Sequence, residues 1–291
     1  MEKKKIIVVG ATGQLGSEIN ILSPQYLQYE FIFLSEADLS ILDFEAVKNI
    51  FKEYAPAYLI NCAAYTAVDK AETDSETAYK VNAEAVSFIA ALCNEHKTGF
   101  IHISTDYVFE GNAALPYKPE DLPNPQSVYG ATKLAGEKLA FLNNPSTVLI
   151  RTAWVYSEFG HNFVKTMIRL MKEREEIRVV SDQVGSPTYA ADLAEAILRI
   201  ISSAKWVPGI YHFTNTGIIS WFDFAVAIKE ATGSTCLVTP ISTAQYPTPA
   251  KRPAYSVLDT SKIEDIYSVK PSKWQDSLKI CLEKLKILDE L

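Results

Sequence analysis

Short runs of β-branched and aromatic residues alternate with longer stretches whose apolar positions recur every three or four residues. Lys5–Val9, Phe31–Leu34, Tyr58–Asn61, Phe100–Ser104 and Val148–Arg151 have the length and composition of strands. Several are nearly continuously apolar, the pattern of strands covered by helices on both faces. Between the third and fourth runs, Thr73-x-x-Glu76 has the form of a capping box. Ala78, Val81, Ala85, Phe88, Ala91 and Leu92 then follow at helical spacing. This βαβαβ order predicts an α/β fold with a doubly wound parallel sheet, whose ligands sit at the carboxyl ends of the strands.

The second half is less regular. Helical periodicity is visible in Asn162–Lys172, Ala191–Ile201, Trp221–Glu230 and Ser277–Ile287, while Pro240, Pro247, Pro249, Pro253 and Pro271 interrupt the chain from 240 onward. These stretches predict a smaller, partly interleaved lobe that closes over the strand ends. The chain has 291 residues, enough for a substantial core, and 48% hydrophobic and 22% charged residues, the balance of an ordinary globular protein. A formal net charge of -7 argues against a nucleic-acid partner, and Lys3-Lys4-Lys5 reads as the solvated entry to the first strand. No apolar run approaches the roughly 20 residues of a membrane span, and no secretory signal is visible. Cys62, Cys93, Cys236 and Cys281 are scattered without a Cys-x-x-Cys pair, as expected for reduced thiols in a cytoplasmic protein. His102 and His212 lie inside strand-like apolar runs and are expected to be packed, hydrogen-bonded histidines, so no metal site is expected.

Three motifs carry chemistry. Gly10-Ala11-Thr12-Gly13-Gln14-Leu15-Gly16 follows the first strand and opens a helix, where glycines allow close backbone approach to a pyrophosphate met by helix N–H groups. At the end of strand two, Ser35-Glu36-Ala37-Asp38-Leu39 offers Asp38 to a ribose 2′-hydroxyl and has no basic residue for a 2′-phosphate. This leans toward NADH over NADPH, and a simple turn role for Asp38 stays open. Tyr129-Gly130-Ala131-Thr132-Lys133 puts a phenol and an ammonium on one helix face. The ammonium and an oxidised nicotinamide ring would lower the tyrosine pKa toward the range useful for proton transfer. Ser104-Thr105-Asp106-Tyr107-Val108-Phe109 ends strand four with a hydroxyl able to hold a substrate carbonyl against a hydride donor.

Together with Asn61-Cys62-Ala63-Ala64-Tyr65-Thr66-Ala67-Val68-Asp69-Lys70-Ala71-Glu72, Arg151-Thr152-Ala153-Trp154-Val155-Tyr156, Asp182-Gln183-x-Gly185-Ser186-Pro187-Thr188, Arg252-Pro253 and Leu258-Asp259, these motifs resemble the extended short-chain dehydrogenase/reductase superfamily. In detail they resemble its dTDP-4-dehydrorhamnose reductase family. The resemblance runs from about residue 5 to 285. It implies reduction of the 4-keto group of dTDP-4-dehydro-L-rhamnose by NADPH or NADH, for cell-surface polysaccharide. It also implies a Rossmann-type NAD(P)-binding domain from 1–151 with about 179–215, and a sugar-nucleotide lobe from about 152–178 with 216–291. Carried over by position, Tyr129 is the proton donor, Lys133 holds the nicotinamide ribose and tunes the tyrosine, and Thr105 binds the sugar oxygen. Asp106, Trp154 and Arg252 contact the substrate, and Gly13, Gln14, Leu15, Asp38, Leu39, Ala63, Ala64 and Tyr65 line the cofactor beside Gly10 and Gly16. Some relatives have an arginine where this chain has Glu36. Some also dimerise through carboxylates that bridge a metal. Glu18 is a candidate for such a contact, but Thr188–Asp192 offers it no partner, so a homodimer is open and a metal is not expected.

Two other readings share the scaffold. A nucleotide-sugar epimerase or dehydratase is one, although dehydratases place a Glu directly after the Ser-Thr-Asp run and this chain has Tyr107. The other is a non-catalytic regulatory subunit resembling that of methionine adenosyltransferase, since fold does not settle function.

Overall fold

The computed structural model describes residues 3–203 and 205–287. Strands β1 (Lys4–Val9), β2 (Tyr29–Leu34), β3 (Tyr58–Asn61), β4 (Gly99–Thr105), β5 (Val148–Thr152) and β6 (Gly209–His212) form one parallel sheet in the order β6-β5-β4-β3-β1-β2. Five of these are the expected runs, and the sixth is the strand-like run that contains His212. Residues alternate between the faces of the sheet. Ile6 and Val8 belong to one core, with Leu193 and Ile197 of the helix Ala190–Ser202, whereas Ile7 and Val9 belong to the other, with Val47, Ile89 and Ala90. Helix α1 (Gln14–Leu22) packs on the first face, and α2 (Phe44–Tyr54) and α3 (Ala85–His96) on the second. The chain order reverses between β1 and β3, which places a ligand crevice at their carboxyl ends.

The capping box expected at Thr73 does not form. Thr73 Oγ1 donates back to Lys70 O (3.2 Å), and Asp74 takes the N-cap position of the helix Ser75–Tyr79. That helix enters α3 through a π-turn at Lys80–Glu84. Helix α4 (Val128–Asn143) starts under a genuine cap, with Ser127 Oγ accepting from Gly130 N at 3.1 Å.

A second core joins Tyr156, helix α5 (Phe163–Glu173), the parallel strand pair Glu176–Val180 and Leu237–Ile241, α6 (Trp221–Thr232) and α7 (Trp274–Ile287). The chain interleaves the two cores: Ile263, Tyr267 and Val269 return to the sheet's first face. His102 and His212 are both buried. His102 Nδ1 lies 3.2 Å from Asn61 Nδ2, and His212 Nδ1 lies 3.0 Å from Tyr117 O. Burial drives both imidazoles to the neutral form. Among the described residues no helix is long and apolar enough to cross a membrane, and the four cysteines are free thiols.

Candidate active site

The glycine turn closes the crevice from one side. Gly10 has φ +74°, and a Cβ there would meet Ala63 N at 2.6 Å, so β1 and the segment after β3 approach as only glycine permits. A Cβ on Gly16 would meet Gly10 O at 2.5 Å, which seats α1 directly on the turn. No side chain caps the N-terminus of α1, so its first N–H groups remain available to an anion. These features fit a dinucleotide pyrophosphate. Gln14 reaches across to the second lobe: its Oε1 accepts from Asn162 Nδ2 (3.0 Å), and its Nε2 lies 3.5 Å from Val155 O. Leu15 and Leu39 are buried. Asp38 Oδ2 accepts from Ser35 N (2.9 Å) and Ser35 Oγ (2.6 Å), which holds its carboxyl below the usual range and leaves Oδ1 for another donor. Thus the turn role and a role toward a ribose are compatible at this residue.

Segment 63–65 is pinned from above. Asn82, thrown inward by the π-turn, accepts from Tyr65 N (2.9 Å) through Oδ1. Its Nδ2 donates to Tyr65 O (3.0 Å) and to Thr132 Oγ1 (3.1 Å) of α4. Gly136 lets α4 lie against the Asn82 carbonyl, since a Cβ there would collide with it. Ala63 N donates to Asn61 Oδ1; Ala64 lies between these two anchors. Asn82 was not legible as a site residue, because the signal lies in the extra residue of its helical turn rather than in any motif.

Thr105, Asp106, Tyr129 and Lys133 converge at the carboxyl end of β4. Thr105 Oγ1 donates to Asp106 Oδ1 (3.0 Å), and its interaction with the Tyr129 phenol pulls that pKa downward. Burial outweighs this pull and, with Asp106 and Tyr107 nearby, holds the phenol well above its ordinary value. The lowered value expected from the sequence includes the pull of an oxidised nicotinamide ring, which none of these protein groups supplies. Lys133 does not stabilise the phenolate here; its Nζ donates to Ile103 O at 2.6 Å, and burial pushes it down to about 8. The Asp106 carboxyl is pushed up to about 6 by burial, against the lowering pull of the Ser256 and Thr105 hydroxyls. Tyr107 packs edge-on against Tyr129, with centroids 5.5 Å apart.

Behind this group, Glu137 and Arg151 form a buried ion pair, and Ser104 Oγ donates to Glu137 Oε1 at 2.5 Å. In front lies a cleft of about 900 Å³ whose lining includes Asp69, Tyr107, Phe163, Gln183, Trp221 and Arg252. Trp154 is not among the lining residues. Its backbone has φ +50°, and its ring stacks on Trp221 at 3.5 Å and lies against Gly185. Phe163, Gln183 and Trp221 were not foreseen as cleft residues, although Gln183 and Gly185 belong to a motif that the sequence displays.

Glu18 is buried inside the chain. Oε1 accepts from Ser157 Oγ (2.7 Å), and Oε2 lies 3.7 Å from Lys284 Nζ, which also meets Glu158 Oε1 at 2.8 Å. Among the described residues, no group of three or more His, Cys, Asp or Glu side chains could hold a metal.

The family model described as "RmlD substrate binding domain" matches residues 4–287. A dTDP-4-dehydrorhamnose reductase of Aggregatibacter actinomycetemcomitans is 41% identical over 285 residues, covering 94% of this chain and 97% of that protein. The crystal structure of a dTDP-4-dehydrorhamnose reductase from Clostridium acetobutylicum superposes with a TM-score of 0.93 at 44% identity, covering 97% of this chain and 99% of the other. The Bacillus anthracis dTDP-4-dehydrorhamnose reductase in complex with NADP gives a TM-score of 0.93 at 37% identity, covering 97% and 100%. The chain belongs to the RmlD family, whose curated members include enzymes named dTDP-4-dehydrorhamnose reductase.

Proposed function

We propose that the chain reduces the 4-keto group of dTDP-4-dehydro-L-rhamnose to dTDP-L-rhamnose with NADPH or NADH, in the making of cell-surface polysaccharide. The observation that carries this reading is the convergence of Thr105, Tyr129 and Lys133 at the end of β4, in the crevice that the uncapped N-terminus of α1 also faces. The reduced nicotinamide, when bound, supplies the hydride. Tyr129 Oη delivers a proton to the sugar's carbonyl oxygen, and burial keeps that proton in place until negative charge develops opposite it. Lys133 would hold the nicotinamide ribose with the N–H donors that its bond to Ile103 O leaves over. Thr105 has to turn from Asp106 Oδ1 toward the sugar oxygen.

Gly10, Gly13, Gln14, Leu15, Gly16, Asp38, Leu39 and residues 63–65 line the dinucleotide, while Asp106, Trp154 and Arg252 serve the sugar nucleotide. The first group lies in 1–151 with about 179–215, and the sugar-nucleotide lobe is about 152–178 with 216–291. Elimination chemistry is disfavoured by Tyr107. Burial pushes this phenol up to about 12 and its oxygen already meets Arg252, so it is no base at neutral pH. Free cysteines suit a cytoplasmic setting, and sedimentation of the purified chain would establish whether it is a homodimer.

The test is loss of reduced-nicotinamide absorbance with dTDP-4-dehydro-L-rhamnose generated in place. Sugar-dependent oxidation is expected, and the same assay ranks NADPH and NADH. Folded protein that binds cofactor yet turns over no keto-sugar would move the reading to a regulatory role.

A further inference from the structure

The segment Ala67-Val68-Asp69-Lys70-Ala71-Glu72 forms a short helix, Val68–Ala71, that the mechanism above does not use. Its Asp69 reaches a part of the chain far away in sequence. Oδ2 accepts from Arg252 Nη2 at 2.6 Å and Oδ1 from Ala250 N at 3.2 Å, so one carboxylate grips both the backbone and the guanidinium of the proline-flanked segment 247–253. Arg252 Nη1 donates in turn to Tyr107 OH at 3.0 Å, and Tyr107 lies against Tyr129. Asp69, Tyr107 and Arg252 all line the cleft.

Energetics indicate what this pair is for. The side chains of Arg252 and Asp69 are 23% and 40% exposed, and an ion pair that open to water contributes little to folding. Its effect is geometric. A guanidinium has five N–H donors in a rigid fork, and the bonds to Asp69 and Tyr107 engage one terminal nitrogen each. Nε and the remaining terminal hydrogens are free for an anionic ligand, with the plane of the fork already set at both ends.

We propose that Asp69 is a positioning residue for the sugar nucleotide: it holds Arg252 against Tyr107 so that the guanidinium meets the diphosphate beside the reacting sugar. This rests on the reading of the cleft as a sugar-nucleotide site. In this arrangement the effect of Asp69 on the ligand runs through Arg252, which it grips by Oδ2. Its negative charge would by itself repel a diphosphate, so the sign of its effect separates the two roles.

Calorimetric titration of the full chain with dTDP, alongside NADPH titration and thermal melting, tests this. Wild-type protein that fails to bind dTDP would overturn the underlying reading and this inference with it. If the wild type binds, Asp69→Ala should weaken dTDP by about tenfold, the loss of one oriented charge-assisted contact. NADPH affinity and melting should stay unchanged, and Asp69→Glu should recover part of the loss. In the Arg252→Ala background, Asp69→Ala should cost nothing further. Unchanged or tighter dTDP binding in Asp69→Ala, losses that multiply in the double variant, or a parallel loss of NADPH binding would each overturn the proposal.

Discussion

Arg151 closes a two-pronged bond on Glu137, Nε to Oε1 at 2.9 Å and Nη2 to Oε2 at 2.6 Å, with both side chains almost wholly out of water. Glu137 lies one turn beyond Lys133 on the helix that carries Tyr129, and Arg151 lies on the neighbouring strand. The pair therefore bolts that helix to the sheet. Glu137→Gln should leave a buried guanidinium without its counter-charge and cost about 3–5 kcal/mol, read by chemical denaturation. Stability within about 1 kcal/mol of wild type would show that the pair contributes little to the fold.

Tyr129→Phe removes one hydroxyl and little volume, so the protein should fold and bind NADPH. Its kcat should fall at least about 100-fold if the phenol is the proton donor. A near-normal rate in steady-state assays would remove Tyr129 from the chemistry.

Burial pushes the Glu18 carboxyl up to about 7 from 4.5, with the Glu158 carboxylate adding to the effect. A raised carboxyl pKa means the folded state binds the proton more tightly than the unfolded chain. Its ionisation therefore costs stability as pH climbs from 4.5 to about 7, and the cost is fully present above 7. Glu18→Gln should be more stable than wild type by up to about 3 kcal/mol at pH 8 and lose that advantage near pH 4. Melting curves across this range that stay parallel would show that Glu18 does not carry the shift.

Thr105→Val keeps the shape of the side chain and removes its hydroxyl. It strips Asp106 of a donor as well as the sugar oxygen of a partner, so kcat/KM should drop by about 100-fold while Thr105→Ser retains most activity. Equal losses in both variants, measured with the keto-sugar, would point to packing rather than the hydroxyl.

What could be read from the chain follows from distance. The inner strands were visible because they are covered on both faces and so carry nearly unbroken apolar runs, and the edge strand β2 because its aromatic and β-branched residues favour extended backbone. Tyr129 and Lys133 were visible because helical spacing makes them neighbours. Arg252 and Asp69, 183 positions apart, have no local signature, and neither do Glu18 and Lys284. At Thr73 the local signature was present and misled: the chain makes a turn with Lys70 first, and the helix starts later. The burial of the Tyr129 phenol was not legible, because an isolated Tyr-Lys pair says nothing about how deeply the fold encloses it.

The π-turn at Lys80–Glu84 amounts to one supernumerary residue in an otherwise continuous rod running from Ser75 to His96. Deleting a single residue from it would restore ideal hydrogen bonding and make a locally better helix. Everything upstream would then swing by about 100° around the axis. Asn82 could no longer face Tyr65 and Thr132 together. A frame-preserving deletion, ordinarily tolerated or harmful according to the loop it shortens, would here regularise the backbone while uncoupling segment 63–65 from the helix that carries Tyr129.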